Sequence, residues 1–272
     1  MAKSYLPAMT RAEVEEAYSK KPVVLFPLGS VEQHGAHTPV GDYRMAEVLA
    51  KEVADIVGNT LVLPVMPFGY SEYFRTFPGC LTLKPSTLYS VVRDVCECVL
   101  DYGIDHLLFI NGHRGNEPTL EQLGRDLRKE RGVIPASILP WDLAMAEKKT
   151  LYPEDAKTGH GSDPMGSLNA YFFPDDMRTD LAEEYQPPTR RYGDFQPVSP
   201  TKIDLNGTLL NFYLNYDEIT KNGVMGDPGL CSAERGKKMH DIMVAKLVEI
   251  VKAFAKLDTR AKYKFCKMGE DK

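Results

Sequence analysis

The sequence lacks the features that would mark a nucleic-acid binder, a disulfide-stapled scaffold or a membrane protein. Lysine and arginine total 33 against 38 aspartates and glutamates, for a net charge of −5. Nucleic-acid and anionic-membrane binders normally carry a basic excess instead. Cysteine is scarce and odd in number, five in 272 residues (Cys80, Cys96, Cys98, Cys231 and Cys266). No CxxC pair occurs, so neither a zinc knuckle nor a disulfide framework is expected, and free thiols fit a reducing cytoplasm. Apolar runs are strand-sized and interrupted by Pro27, Pro64 or Pro67, too short for a bilayer. The opening residues Met1-Ala2-Lys3-Ser4-Tyr5-Leu6-Pro7 lack the apolar stretch of a signal peptide, so a cytoplasmic protein is expected. No internal repeat or low-complexity linker is visible.

What is present reads as one ordinary globular chain, 43% hydrophobic and 26% charged. At about 150 residues per domain, the length suits one large domain or two small ones. Strand and helix signals alternate. Thr10 and Glu13 form a capping box opening a helix to about residue 20, and residues 23–28 form an apolar run of strand length. Residues 45–57 carry helical apolar spacing and residues 61–65 a second strand. Ser86 is placed to cap a helix with Leu88, Val91, Val92, Val95 and Val99 on one face, ended by Gly103. A strand follows at 106–110, then a helix at 116–131 with Pro118 in its first turn, where a missing N–H costs nothing. Residues 133–139 read as another strand. Repeated βα units predict an α/β fold, a single domain with a mostly parallel sheet flanked by helices on both faces. Residues 186–226 break the rhythm and suggest loops with a hairpin. Residues 232–257 form a long amphipathic helix.

In such sheets ligands bind beyond the carboxyl ends of the strands. Three glycine-containing polar clusters fall there or at a helix start: residues 29–37 followed by Gly41 and Asp42, residues 111–116, and residues 159–163. They hold four of the six histidines. Glu32 and His34, two apart on an extended segment, point to one face. With Asp42 and His113 they supply the mixed carboxylate and imidazole donors suited to Zn²⁺, Mn²⁺ or Fe²⁺. A bridging carboxylate in such a set can hold two ions about 3.5–4 Å apart.

The runs Leu28-Gly29-Ser30-Val31-Glu32-Gln33-His34-Gly35-Ala36-His37, Phe77-Pro78-Gly79, Asn111-Gly112-His113-Arg114-Gly115-Asn116 and Gly223-Val224-Met225-Gly226-Asp227-Pro228 resemble the creatininase (creatinine amidohydrolase) family over most of the chain. The resemblance implies a single α/β domain spanning residues 1–272, two divalent metal ions (Zn, Mn or Fe), a small-molecule substrate and a homo-oligomer, often a hexamer. It implies Glu32 and His34 as ligands of different ions, Asp42 as the bridging carboxylate and His113 as a further ligand. Glu32 and His160 are the expected catalytic residues, His160 relaying a proton to the leaving group. Asp163 either binds the second ion or orients His160. His37, Asn111 and Asn116 are expected to buttress the ligands or their loops. Arg114, Arg75 and Trp141 are expected at the substrate, against the plainer readings of solvent exposure for Arg114 and core packing for Trp141.

The chain also departs from the family pattern. It is one residue shorter before Asp42. Gly115 stands where creatinine-hydrolysing members carry a glutamate, and Met165 replaces another. Creatinine is therefore not the expected substrate. The expected reaction is hydrolysis of a C–N bond in a small cyclic or related amide by a metal-activated water. The alternatives are ring opening of a cyclic diketone, as in the branch acting on oxidised inositols, and a non-catalytic metal-binding scaffold.

Overall fold

The computed structural model describes residues 3–187 and 190–260, and Cys266 lies outside them. The main elements are α1 (Arg11–Ser19), β1 (Val23–Leu28), α2 (Tyr43–Val57), β2 (Thr60–Val62), α3 (Pro85–Leu100), β3 (Leu107–Asn111) and α4 (Glu117–Arg131). They are followed by β4 (Ala136–Ile138), α5 (Pro140–Met145), α6 (Lys148–Leu151), α7 (Met165–Phe172), β5 (Gln196–Ser199), β6 (Lys202–Leu205), β7 (Thr208–Asn211) and α8 (Ala233–Phe254). The expected capping box is present: the Thr10 side chain accepts from Glu13 N–H and Glu13 accepts from Thr10 N–H. The α3 start differs from expectation. Pro85 occupies the first turn, and no side chain caps the helix.

Four parallel strands lie in the order β2-β1-β3-β4. β1 is buried throughout, which is why it reads as an unbroken apolar run. Its faces still alternate. Val23 and Leu25 join Leu108 and Ile110 beneath Met45, Leu49 and Val53 of α2 and Met243, Leu247 and Val251 of α8. Val24, Phe26 and Leu28 join Leu107 and Phe109 on the opposite face, under Leu88 and Val92 of α3 and Leu120, Leu123 and Leu127 of α4. A fully buried side chain such as Leu49 stabilises the fold by roughly 1.5–3 kcal/mol relative to an exposed one. The two expected outer strands are shorter than their apolar runs, Thr60–Val62 and Ala136–Ile138; after β2, Pro64 has no N–H to continue the ladder.

The irregular stretch contains more order than loops and one hairpin. β5, β6 and β7 form a three-stranded antiparallel sheet. Its second turn is Asn206-Gly207, both with positive φ, the two-residue hairpin chemistry that matches strand twist. No described helix is long and apolar enough to cross a membrane.

The register decides where the polar clusters go. Leu28 pairs with Asn111, so the residues after β1 and β3 emerge side by side at one end of the sheet.

Candidate metal centre

The chain after β1 folds back on the start of α2. Ser30 N–H donates to Asp42 Oδ1 at 2.6 Å. Gly29 permits this approach, because a Cβ there would overlap the Tyr43 backbone and the Asp42 carboxylate. Asp42 Oδ2 then lies 2.9 Å from His113 Nδ1, and Glu32 Oε2 lies 3.2 Å from the same nitrogen. On the other side, Glu32 Oε1 is 3.5 Å from His34 Nε2 and 3.9 Å from His160 Nδ1. Among the described residues, the donor groups able to hold a metal ion are Glu32, His34 and His160, and Glu32, Asp42 and His113. Three loops thus converge, as the clusters in the sequence suggested.

Burial drives these groups toward neutrality, and their mutual charges oppose it. Burial raises the Glu32 carboxyl, but the imidazoles of His113, His34 and His160 together outweigh that and bring it down to about 2. Burial lowers His113, yet Glu32 and Asp42 hold it well above the usual imidazole range. For Asp42 burial wins and the carboxyl is raised. His160 is pushed down to about 3 by burial and by the neighbouring His34.

The donor set fits divalent cations. Glu32 Oε2 is buried without a hydrogen-bond partner, a costly state that a cation relieves. His113 Nε2 is 2.9 Å from the Tyr70 carbonyl, and His160 Nε2 is 2.7 Å from that of Gln33. An imidazole that donates Nε2–H to a carbonyl keeps its Nδ1 lone pair for a metal or a proton, and in both rings Nδ1 faces Glu32.

Asn111 and Asn116 brace the loops. Asn116 Nδ2 donates to the Gly29 carbonyl and to Asn111 Oδ1, and its Oδ1 accepts from Tyr70 N–H. Asn111 Oδ1 also accepts from His113 N–H. His37 is buried, its Nε2 is unpartnered, and its carbonyl accepts from Arg178 N–H.

Several expected residues stand differently from what the resemblance implies. Glu32 is common to both donor groups, whereas Asp42 belongs to one of them and also accepts from Ser30 N–H. Asp163 neither joins the donors nor orients His160. Its carboxylate accepts from Tyr152 hydroxyl at 3.0 Å and Ser167 N–H at 2.9 Å, and it pairs with Arg235 at 3.4 Å. Arg114 points outward to Asp142 and Glu117. Arg75, 71% exposed, pairs with Glu72. Trp141 is packed in the core, its Nε1–H donating to the Gly112 carbonyl at 2.8 Å, so it steadies the His113 loop from behind.

The residues that do wall the site were not singled out by their sequence pattern. Tyr73 hydroxyl lies 3.2 Å from His113 Nε2. Phe74 stacks on His160 with ring centroids 4.2 Å apart, and Tyr216 stacks on Phe74 at 4.0 Å. The aromatic density of Tyr70, Tyr73, Phe74 and Phe77 was the available signal for the first two. Tyr216 offered none.

The chain is similar to known proteins over most of its length. A family model described as Creatininase, creatinine amidohydrolase, matches residues 7–251. A mycofactocin precursor peptide peptidase of Mycolicibacterium smegmatis is 26% identical over 247 residues, 87% of each chain. A 3-dehydro-scyllo-inosose hydrolase of Thermotoga maritima is 26% identical over 266 residues, covering 91% of this chain and 82% of the other. The solved structure of a manganese creatininase superposes with a TM-score of 0.75 at 23% identity, over 92% of this chain and 98% of that one, a likeness of fold.

Proposed function

The chain belongs to the creatininase family of metal-dependent hydrolases, and from that premise we propose that it hydrolyses a C–N amide bond at a centre of two divalent cations. The observation that supports this most is Glu32, a buried carboxylate shared by two convergent donor groups and carrying an unpartnered oxygen. Asp42 and His113 would complete one group and His34 the other, with His160 beside it. Ions held there supply a water acidified to near neutrality and a Lewis acid for the scissile carbonyl. Zn, Mn and Fe all suit these donors.

The chain's own residues do the rest. The Tyr70 and Gln33 carbonyls fix the two imidazole orientations. Ser30 N–H holds Asp42 in place. We assign His160 the proton-carrying role, because with 12% of its side chain exposed against 2–5% for the other four, it lies nearest the entrance. Water adds to the carbonyl carbon, the C–N bond breaks, and the nitrogen leaves as an amine with the transferred proton. An amide is favoured because both the peptidase relative and the family description name cleavage of that bond type. The inosose hydrolase relative supports a second reading, ring opening of a cyclic diketone at the same centre. A small-molecule substrate, self-association and a cytoplasmic setting belong to the same reading.

Metal content by mass spectrometry tests the centre. Glu32→Gln is expected to lose both ions and His113→Ala one. His160→Ala should keep both while losing turnover, whereas loss of one ion moves His160 into the ligand set. A wild-type protein without stoichiometric metal sinks the proposal. Incubation with short peptides, cyclic amides and oxidised inositols then separates the substrate classes, since release of an amine supports the amide reading and a ring-opened keto acid refutes it.

A further inference from the structure

The metal centre is roofed by aromatic rings from two unrelated loops. Phe74 ends the short turn Glu72–Phe74 before α3, and Tyr216 begins the turn Tyr216–Glu218 after β7. Asn215 and Glu218 hold that second turn with a reciprocal capping box. A hydrogen bond from Thr76 hydroxyl to Asp217 at 2.8 Å ties the loops together on the surface. Between them the rings form a cluster. Tyr216 lies on Phe74 at 4.0 Å with 13° between planes, both rest against His160, at 4.9 and 4.2 Å, and His160 lies on His34 at 4.6 Å. Tyr73 adds an edge contact to Phe74 at 5.1 Å.

Two features make this roof the place of recognition. Phe74 is 1% exposed and Tyr216 covers its face at 4.0 Å, so a ligand reaches that face only when Tyr216 gives way. Two surface cavities, of about 240 and 600 Å³, lie elsewhere on the molecule. The roof is also uncharged, because the cations nearest in sequence, Arg75 and Arg114, turn outward to carboxylates. An aromatic face that already stacks a ring at 4.0 Å selects flat, apolar groups.

We propose that Phe74 and Tyr216 determine specificity: a planar or aromatic group next to the scissile bond displaces Tyr216 and stacks on Phe74 above His160. This rests on the metal-centre reading, so the test uses probes that chelate the ions with one head group and differ only in the attached ring. Acetohydroxamate and benzohydroxamate are titrated calorimetrically into the zinc-loaded full-length chain. Benzohydroxamate is expected to bind at least tenfold more tightly. Phe74→Leu and, separately, Tyr216→Ala should bring that ratio toward one while acetohydroxamate affinity stays within about twofold. Equal binding of the two probes to the wild type overturns the role of the roof and leaves the metal centre standing. Failure of both probes to bind overturns both, since the roof would then cover no ion. A ratio unchanged in both variants also overturns the proposal. Because Phe74 is buried, Tyr216→Phe serves as a mild control that should keep the ratio.

Discussion

Asp42 and Asp163 are both fully buried aspartates beside polar loops, and what separates them is their partners. Asp42 takes one backbone N–H and faces an imidazole, which leaves it available to a cation. Asp163 takes a tyrosine hydroxyl, a backbone N–H and an arginine, so its acceptor sites are used. Removing it would leave the Arg235 guanidinium and the Tyr152 hydroxyl without their buried acceptor. Loss of one partner of a buried pair costs about 3 kcal/mol or more. Asp163→Ala is therefore expected to lower urea stability by about 3 kcal/mol with metal content unchanged. A drop in bound metal at full stability would return Asp163 to the centre. Sequence spacing placed both aspartates near histidines, but which oxygens were already engaged depended on residues up to 72 positions away.

At the level of elements, the turn Arg114–Asn116 joins β3 to α4 and carries the glycine that departs from the creatinine-hydrolysing pattern. A Cβ at Gly115 would overlap the Tyr70 carbonyl, His113 Nε2 and the Tyr73 hydroxyl. The space a glutamate would need is occupied by the groups that orient His113. Gly115→Ala should tilt that imidazole and weaken metal binding by about tenfold or more, read by titration with a chromophoric chelator. Gly115→Glu should do worse rather than restore a ligand, and a gain in metal affinity would refute the packing argument. The other elements were legible to different degrees. β1, α2, α4 and α8 follow from apolar spacing and cap residues, because burial of a stripe is a local property of the sequence. β2 and β4 came out shorter than their apolar runs, β2 stopping before Pro64, which lacks the N–H to extend its ladder. The antiparallel sheet was underestimated although Asn206-Gly207 marked its turn.

For the whole molecule, the donors come from residues 32–42, 113 and 160, which only the folded chain brings within reach of one another. Ions that bind this arrangement and not the unfolded chain stabilise by mass action, about 2.7 kcal/mol at a hundredfold excess over Kd. Adding Zn²⁺ or Mn²⁺ to chelator-treated protein is thus expected to raise the melting temperature by about 5 °C or more. An unchanged melting temperature in both metals would contradict a preformed centre. The sequence by itself determined the class of fold, the three polar clusters and the family, because periodicity, glycine placement and contiguous motifs are written along the chain. Only the tertiary structure decided which donors share Glu32, that Asp163, Arg75, Arg114 and Trp141 stand apart, and that Phe74 and Tyr216 roof the centre. The reason is distance: a hydrogen bond or a ring stack is settled within about 3–4 Å. A one-residue change in register or a different side-chain partner redirects it, and neither leaves a mark in the local sequence.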